Sequence, residues 1–377
     1  MGKTGLEFGV LGPLQLSVDG TPMALGPPKQ RAVLAMLVIN RNRPVGVESL
    51  INAVWDQSPV PAARASIQTY VSNLRRLLDD AGIDTHTVLA SAPPGYRLTV
   101  ADVDCDLGRF TTEKTAGIRA AAAGRFEQAS SHLSAALAQW RGPVLDDLHN
   151  FSFVEAFATA LTEDKVLAQT ARAEAEIACG RAYAVIGELE TFTAEHPYRE
   201  PLWAQLITAY YVTERQSDAL EAYRRLKTTL AEDLGIDPGP TVRALHARIL
   251  RQEPLDTKRA AQSSAASTIT TAKRRTAVGG QSAVAGLRDT AGRHHPLHAV
   301  VTRIGRLADN DIVLNDADIS RHHAAIIDTG TSFVITDLRS ANGVEVQRRR
   351  IRTSTDLADG DHIRIGDHEF TFEIHSA

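Results

Sequence analysis

Short polar clusters interrupt the apolar stretches near the C-terminus, and they restrict the possible fold more than any other feature. They read Arg303-Ile304-Gly305-Arg306, with Asn310-Asp311 just beyond; Ser320-Arg321-His322-His323; and Asp337-Leu338-Arg339-Ser340-Ala341-Asn342-Gly343. Separated clusters of this kind suggest loops of one β domain converging on a small site. The groups on offer are two guanidiniums, a serine hydroxyl and an Asn amide, with no metal cluster and no nucleophile–base pair beside them. That inventory suits an oxyanion. Arg supplies a planar fork of donors for phosphate oxygens, and Ser, Asn and backbone N–H groups complete a cradle.

The order Gly-Arg, Ser-x-x-His, Asn-Gly at these spacings resembles the forkhead-associated (FHA) domain, over about residues 281–377. The resemblance implies a β-sandwich that binds phosphothreonine peptides through loops at one end. By motif position, Arg306 and Ser320 would grip the phosphate, with Arg321 beside it. Asn342 would hold the backbone of the bound peptide. Gly305 and Gly343 would be turn residues, and His323 would brace the Ser320 loop. The residue before the Asn is usually Ser or Thr in that family; here it is Ala341. The lost hydrogen bond to a charged group corresponds to roughly 1.5–3 kcal/mol, part of which a water can restore.

A chain of 377 residues is long enough for two or three domains, and 43% hydrophobic with 23% charged residues is a globular composition. No apolar run approaches the length of a membrane span, so no membrane partner is expected. The first residues, Met1-Gly2-Lys3-Thr4-Gly5-Leu6-Glu7, lack an apolar signal core, which points to a cytoplasmic protein. Cys105 and Cys179 lie far apart and read as free thiols in a reducing compartment. There is no phosphate-binding Gly-x-x-x-x-Gly-Lys loop, catalytic triad or metal set, so neither an enzyme nor a cofactor is expected.

The net charge of −4 by itself argues against nucleic acid, but it is unevenly spread. Residues 1–100 carry +2, 101–253 carry −7, 254–280 carry +4 and 281–377 carry −3. A mildly basic head before an acidic middle is compatible with a head that touches DNA. In that head, residues 8–20 alternate and break at Gly and Pro like short strands. Apolar spacing predicts helices from Pro28 to Asn40, Val47 to Trp55 and Arg64 to Leu78. Val88-Leu89-Ala90 and Tyr96 to Val100 flank Pro93-Pro94-Gly95 as a β-hairpin. Strands, three helices and a hairpin make a winged helix, whose third helix is the major-groove candidate. Its apolar face is Ile67, Val71, Leu74 and Leu78. Its other side offers Arg64, Ser66, Gln68, Thr69, Ser72, Asn73, Arg75 and Arg76 as DNA-binding candidates, with no acid before Asp79.

The run Ala65 to Leu78 followed by Gly95-Tyr96-Arg97-Leu98 resembles the OmpR-type DNA-binding domain. More narrowly it resembles the head of the actinobacterial regulators known as SARPs. The Arg that many such wings carry before Gly-Tyr is missing from Ser91-Ala92-Pro93-Pro94. In residues 103–253, Gly124-Arg125-Phe126, Gly180-Arg181-Ala182 and Glu214-Arg215-Gln216 each open a helix after a turn. Val185 and Ala219 stand 34 residues apart, the tetratricopeptide period. With Trp140-Arg141-Gly142-Pro143 and Leu234-Gly235-Ile236-Asp237-Pro238, this part resembles the bacterial transcriptional activation domain of SARPs. Residues 254–280 are Ser/Thr/Ala-rich and read as a linker.

The expected protein is therefore multidomain: an α+β winged helix over 1–102, an all-α tetratricopeptide-like repeat over 103–253, a linker over 254–280 and an all-β FHA sandwich over 281–377. The resemblance implies a transcription factor that binds promoter DNA and RNA polymerase and docks on a phosphorylated Ser/Thr protein kinase. A kinase-binding adaptor or inhibitor with little DNA role is the alternative.

Overall fold

The computed structural model describes residues 5–55, 60–276, 284–297, 301–307, 310–328, 333–338 and 340–375. The chain divides into two compact units, 1–112 with 138–164 and 271–377, and 113–137 with 165–270.

In the first unit, antiparallel strands Leu6–Gly9, Gln15–Val18 and Thr21–Pro22 precede helices Pro28–Ile39, Val47–Trp55 and Ala63–Asp80. Pro28–Ile39 is buried on all sides from Ala32 to Ile39 rather than along one stripe. It packs against both other helices and the hairpin, so it is the centre of the head. Ala63–Asp80 is amphipathic as its spacing predicts, burying Ile67, Val71, Leu74 and Leu78. The hairpin pairs Leu89–Ala92 with Gly95–Leu98 across Pro93-Pro94, and Pro44–Gly46 adds a third strand.

Residues beyond 102 bond back to the first sheet. Asp106, 3% exposed, opens the helix Asp106–Ala122. Its carboxylate accepts the backbone N–H groups of Val10 and Leu11, each at 2.9 Å, and that of Leu107 at 2.7 Å. Arg141 Nη2 donates to the same carboxylate at 3.2 Å, and its Nη1 donates to the Pro13 carbonyl. The Arg141 backbone N–H donates to the Leu11 carbonyl at 2.7 Å. Asp147 accepts from the Leu14 N–H and from Arg31 Nη1, both at 2.7 Å. The Trp140-Arg141-Gly142-Pro143 run is thus a clamp on the first sheet, and Trp140 stacks edge-on against Phe110.

The second unit is helical. Val185 and Ala219, at the repeat spacing, are both buried in one core with Trp203, Leu206 and Leu226. Gly124, Gly180 and Glu214 open the three similar runs, and all three have positive φ (72°, 80° and 63°). The turn geometry repeats even where glycine, the residue best suited to it, has been replaced. The segment expected to be a linker departs from expectation, because Thr257–Thr276 is a helix. Ala261 and Ala265 are buried, Ala261 against Phe126 and Ala178. Gln262 Nε2 donates to the Ala122 carbonyl at 3.1 Å. Composition misleads here because small side chains bury little area yet let helices approach closely.

This unit carries one acid–base prediction. Glu174 accepts from Gln205 Nε2 at 3.1 Å, and burial pushes its carboxyl up to about 7, against a smaller opposing effect from a Ser264 hydrogen bond. Between its ordinary 4.5 and about 7 the folded chain holds a proton that the unfolded chain has lost. Stability therefore falls as pH rises through that window. Glu174→Gln is expected to flatten the dependence of melting temperature on pH and to raise it at pH 8, read by scanning calorimetry.

Among the described residues the C-terminal part forms two sheets. One has five strands in the order Ile312–Val313, Val301–Gly305, Ala324–Asp328, Phe333–Asp337, Ser354–Leu357. The other has six, in the order Arg349–Arg350, Val344–Val346, His362–Ile365, His368–His375, Val284–Asp289, His294–Leu297. Alternate residues meet between them: Ile304, Ala324, Ile326 and Ile335 from one sheet, Leu287, Val344, Ile363 and Phe372 from the other. Packing at this face holds the loops at one end of the sandwich.

Candidate functional site

The loop after Val301–Gly305 and the loop before Ala324–Asp328 are tied to each other. The Arg306 N–H donates to the Ser320 carbonyl at 3.0 Å, and the Leu307 N–H to the Arg321 carbonyl at 3.3 Å. Asn310, 5% exposed, fastens the same pair. Its Nδ2 donates to the carbonyls of Leu307 and Arg321 at 2.9 and 2.8 Å, and its Oδ1 meets His322 Nδ1 at 3.0 Å. Gly305 is the last residue of its strand, not a turn residue. A Cβ there would stand 2.4 Å from the Arg321 carbonyl, so the approach of the two loops requires glycine.

His323 is fully buried and joins two loops. Its Nδ1 accepts the Ser320 N–H at 3.2 Å, which leaves Nε2 to donate to the Gly343 carbonyl at 2.9 Å. That pairing sets the tautomer. Gly343 has a φ of 76°, and its N–H donates to Ser340 Oγ. The Ala341 N–H donates to Ser320 Oγ at 3.0 Å, and Asn342 Nδ2 to the Asp318 carbonyl at 2.8 Å. Ser340 Oγ is thus used inside its own turn and does not stand in for the hydroxyl missing at 341. Arg339 lies outside the described residues.

Arg306, Ser320, Arg321, Ala341 and Asn342 line one open cavity of about 740 Å³. Arg306 and Arg321 are exposed, and Ser320 is half-buried. Guanidiniums beside a backbone fixed by these bonds are a sound arrangement for a dianion. Unexpected from sequence, the cavity is also lined by Ser152, Phe153 and Glu155, from the start of the helix Ser152–Ala178. A signal was present. The runs Ala324-Ala325-Ile326-Ile327 and Phe333-Val334-Ile335 are apolar without alternation, so both faces of their sheet must be covered.

The helix Ala63–Asp80 sorts its polar residues into two groups. Gln68, Thr69, Ser72 and Arg76 are exposed, and so is Arg64, which pairs with Glu48. The hydroxyls of Ser66 and Thr69 bond back to the carbonyls of Ala62 and Ala65. Two candidates turn inward. Arg75 Nε donates to the Leu89 carbonyl at 3.0 Å and Nη2 to Ser91 Oγ at 3.1 Å, pinning the hairpin. Asn73 Nδ2 donates to Gln30 Oε1 at 3.1 Å, while its Oδ1 accepts from Arg76. Cys105 is buried, which pushes its thiol pKa up, and Cys179 is half-buried. Among the described residues no acid, His and Cys group could hold a metal, and no helix is long and apolar enough to cross a membrane.

Three family models match in sequence: "Transcriptional regulatory protein, C terminal" over 20–98, "Bacterial transcriptional activator domain" over 105–250 and "FHA domain" over 302–366. Over 370 residues the chain is 70% identical to the transcriptional regulatory protein EmbR of Mycobacterium tuberculosis, covering 98% of this chain and 95% of that protein. The chain belongs to the EmbR family of transcriptional regulators. A solved structure described as Mycobacterium tuberculosis EmbR in complex with low affinity phosphopeptide matches with a TM-score of 0.97 at 69% identity. The match covers 100% of this chain and 99% of that one. The transcriptional regulatory protein MoaR1 of the same organism is 55% identical over 252 residues, 67% of this chain and 81% of that protein. The three-part fold expected from sequence, a winged helix, a helical activation domain and an FHA sandwich, is borne out by family and fold alike.

Proposed function

We propose that this EmbR-type regulator binds promoter DNA through its winged helix. In the same reading its FHA domain docks on a phosphothreonine of a Ser/Thr protein kinase in the cytoplasm, and the activation domain engages RNA polymerase. The observation that carries the reading is the convergence of Arg306, Ser320, Arg321 and Asn342 on one cavity with no catalytic or metal-binding group among them. The phosphate would lie on Arg306 and Ser320 with Arg321 beside it, and Asn342 would meet the peptide backbone. The similar EmbR structure with a phosphopeptide supports that ligand class. Calorimetry with a kinase activation-loop peptide, phosphorylated and unphosphorylated, tests it. Equal affinity for the two would reject the phosphothreonine reading.

The DNA reading is favoured over the adaptor reading by the exposed Gln68, Thr69, Ser72 and Arg76, a donor-rich strip along a helix held from behind by Arg75 and Asn73. Arg76→Ala is expected to weaken binding to all sequences and lower the salt slope by about one. Gln68→Ala is expected to relax sequence preference at one base pair by about 1–3 kcal/mol. Salt titrations of the full chain on promoter and random duplexes read both. A double variant that is folded and binds as wild type would sink this face.

A further inference from the structure

The cavity around Arg306 and Ser320 has a wall that the β-sandwich does not supply. The first turn of the helix Ser152–Ala178 places Ser152, Phe153 and Glu155 on it. Phe153 is buried, and Ser152 and Glu155 are exposed. The helix start is seated firmly, because Ala160 is fully buried against Ala325, Ile327 and Val334. Those residues occupy the outer face of their sheet, since their neighbours Ala324, Ile326 and Ile335 fill the sandwich core. Glu155 is thus carried on a packed element, five residues before the buried Ala160 and more than a helical turn away from it.

The cavity carries both signs of charge. Arg303, Arg306, Arg321 and the carboxylate of Asp318 belong to the sandwich, while the helix contributes the carboxylate of Glu155. A phosphate held by the guanidiniums is repelled by a carboxylate in the same groove, and a cationic side chain next to the phosphate is attracted by it. Complementary potentials of this kind choose among partners more than they raise affinity overall. We infer that Glu155 is a specificity-determining residue of the groove, which selects phosphothreonine peptides bearing Lys or Arg at the flanking position that passes the helix start. The inference rests on the phosphothreonine reading above. It adds that part of the peptide code is written outside the FHA sequence, in a helix of the activation domain.

The test uses the full chain and calorimetry with phosphothreonine peptides in which each flanking position is set in turn to Lys, Ala or Glu. At one position wild type is expected to prefer Lys over Glu by about three- to ten-fold, the range for a partly solvated ion pair at an interface. Glu155→Gln should flatten that preference, and Glu155→Lys should reverse it there and nowhere else. Thermal melts establish that both variants are folded, which the exposure of Glu155 leads one to expect. If Glu155→Lys keeps the wild-type ranking at every position, Glu155 does not read the peptide and the inference is overturned. If wild type fails to separate phosphorylated from unphosphorylated peptide, the underlying reading falls first and takes the inference with it.

Discussion

Arg306→Ala is expected to abolish measurable phosphothreonine-peptide binding while the chain stays folded. A bidentate guanidinium–phosphate contact comprises two charge-assisted hydrogen bonds, each contributing about 1.5–3 kcal/mol, so the loss is about two to four orders of magnitude in affinity. Folding is spared because the structural bond at this position comes from the backbone. The residue 306 N–H donates to the Ser320 carbonyl whichever side chain is present, and the Arg306 side chain is exposed. Calorimetry and a thermal melt on the same sample separate the two effects. Binding that survives with less than a ten-fold loss would place the phosphate elsewhere in the groove, with Arg321 the next guanidinium to remove.

Asp106→Ala should have the largest effect on stability of any single polar replacement described above. It removes the acceptor for the Val10 and Leu11 N–H groups, both in residues of 0% exposure, and the partner of Arg141. Each orphaned buried donor costs about 1–3 kcal/mol, and loss of the partner of the part-exposed Arg141 adds a little to that, for a total of about 3–5 kcal/mol. At this size the melting temperature should fall by roughly 6–15 °C. Asp106→Asn, which keeps one acceptor oxygen, should lose distinctly less. A drop under about 2 °C for Asp106→Ala would mean that water replaces the carboxylate and that the clamp on the first sheet is unimportant.

Much of the fold was legible because the signals are local. The alternation in residues 8–20, the apolar spacing of Ile67, Val71, Leu74 and Leu78, and the Gly124, Gly180 and Glu214 turns each report on a few neighbouring residues, and the structure places an element at each. The C-terminal clusters were legible for a second reason: loops at one end of a sandwich converge whatever fills its core. What misled was polarity without context. Asn73 and Arg75 lie off the apolar face of their helix, as a DNA contact should, yet Gln30, Leu89 and Ser91 supply them with partners inside the domain. The stretch from Thr257 looked like solvated linker because Ser, Thr and Ala bury little area, but Ala261 and Ala265 find a partner surface and the helix forms.

The sequence by itself determined the order of the three parts and the helix periods, and it marked a candidate set of residues for holding a phosphate. Periodicity and turn chemistry act over a few residues and do not depend on what packs against them. Only the tertiary structure decided which polar groups are spent internally and which line the cavity or stay exposed. Val10 and Asp106 meet across 96 residues, and Ala341 meets Ser320 across 21, with no local pattern to announce either. The same holds for Glu155 on the wall of the groove: its place there follows from apolar packing of Ala160 on Ala325, Ile327 and Val334. Apolar contact is non-directional, so the run of hydrophobic residues showed that this sheet face must be covered but left the covering element open.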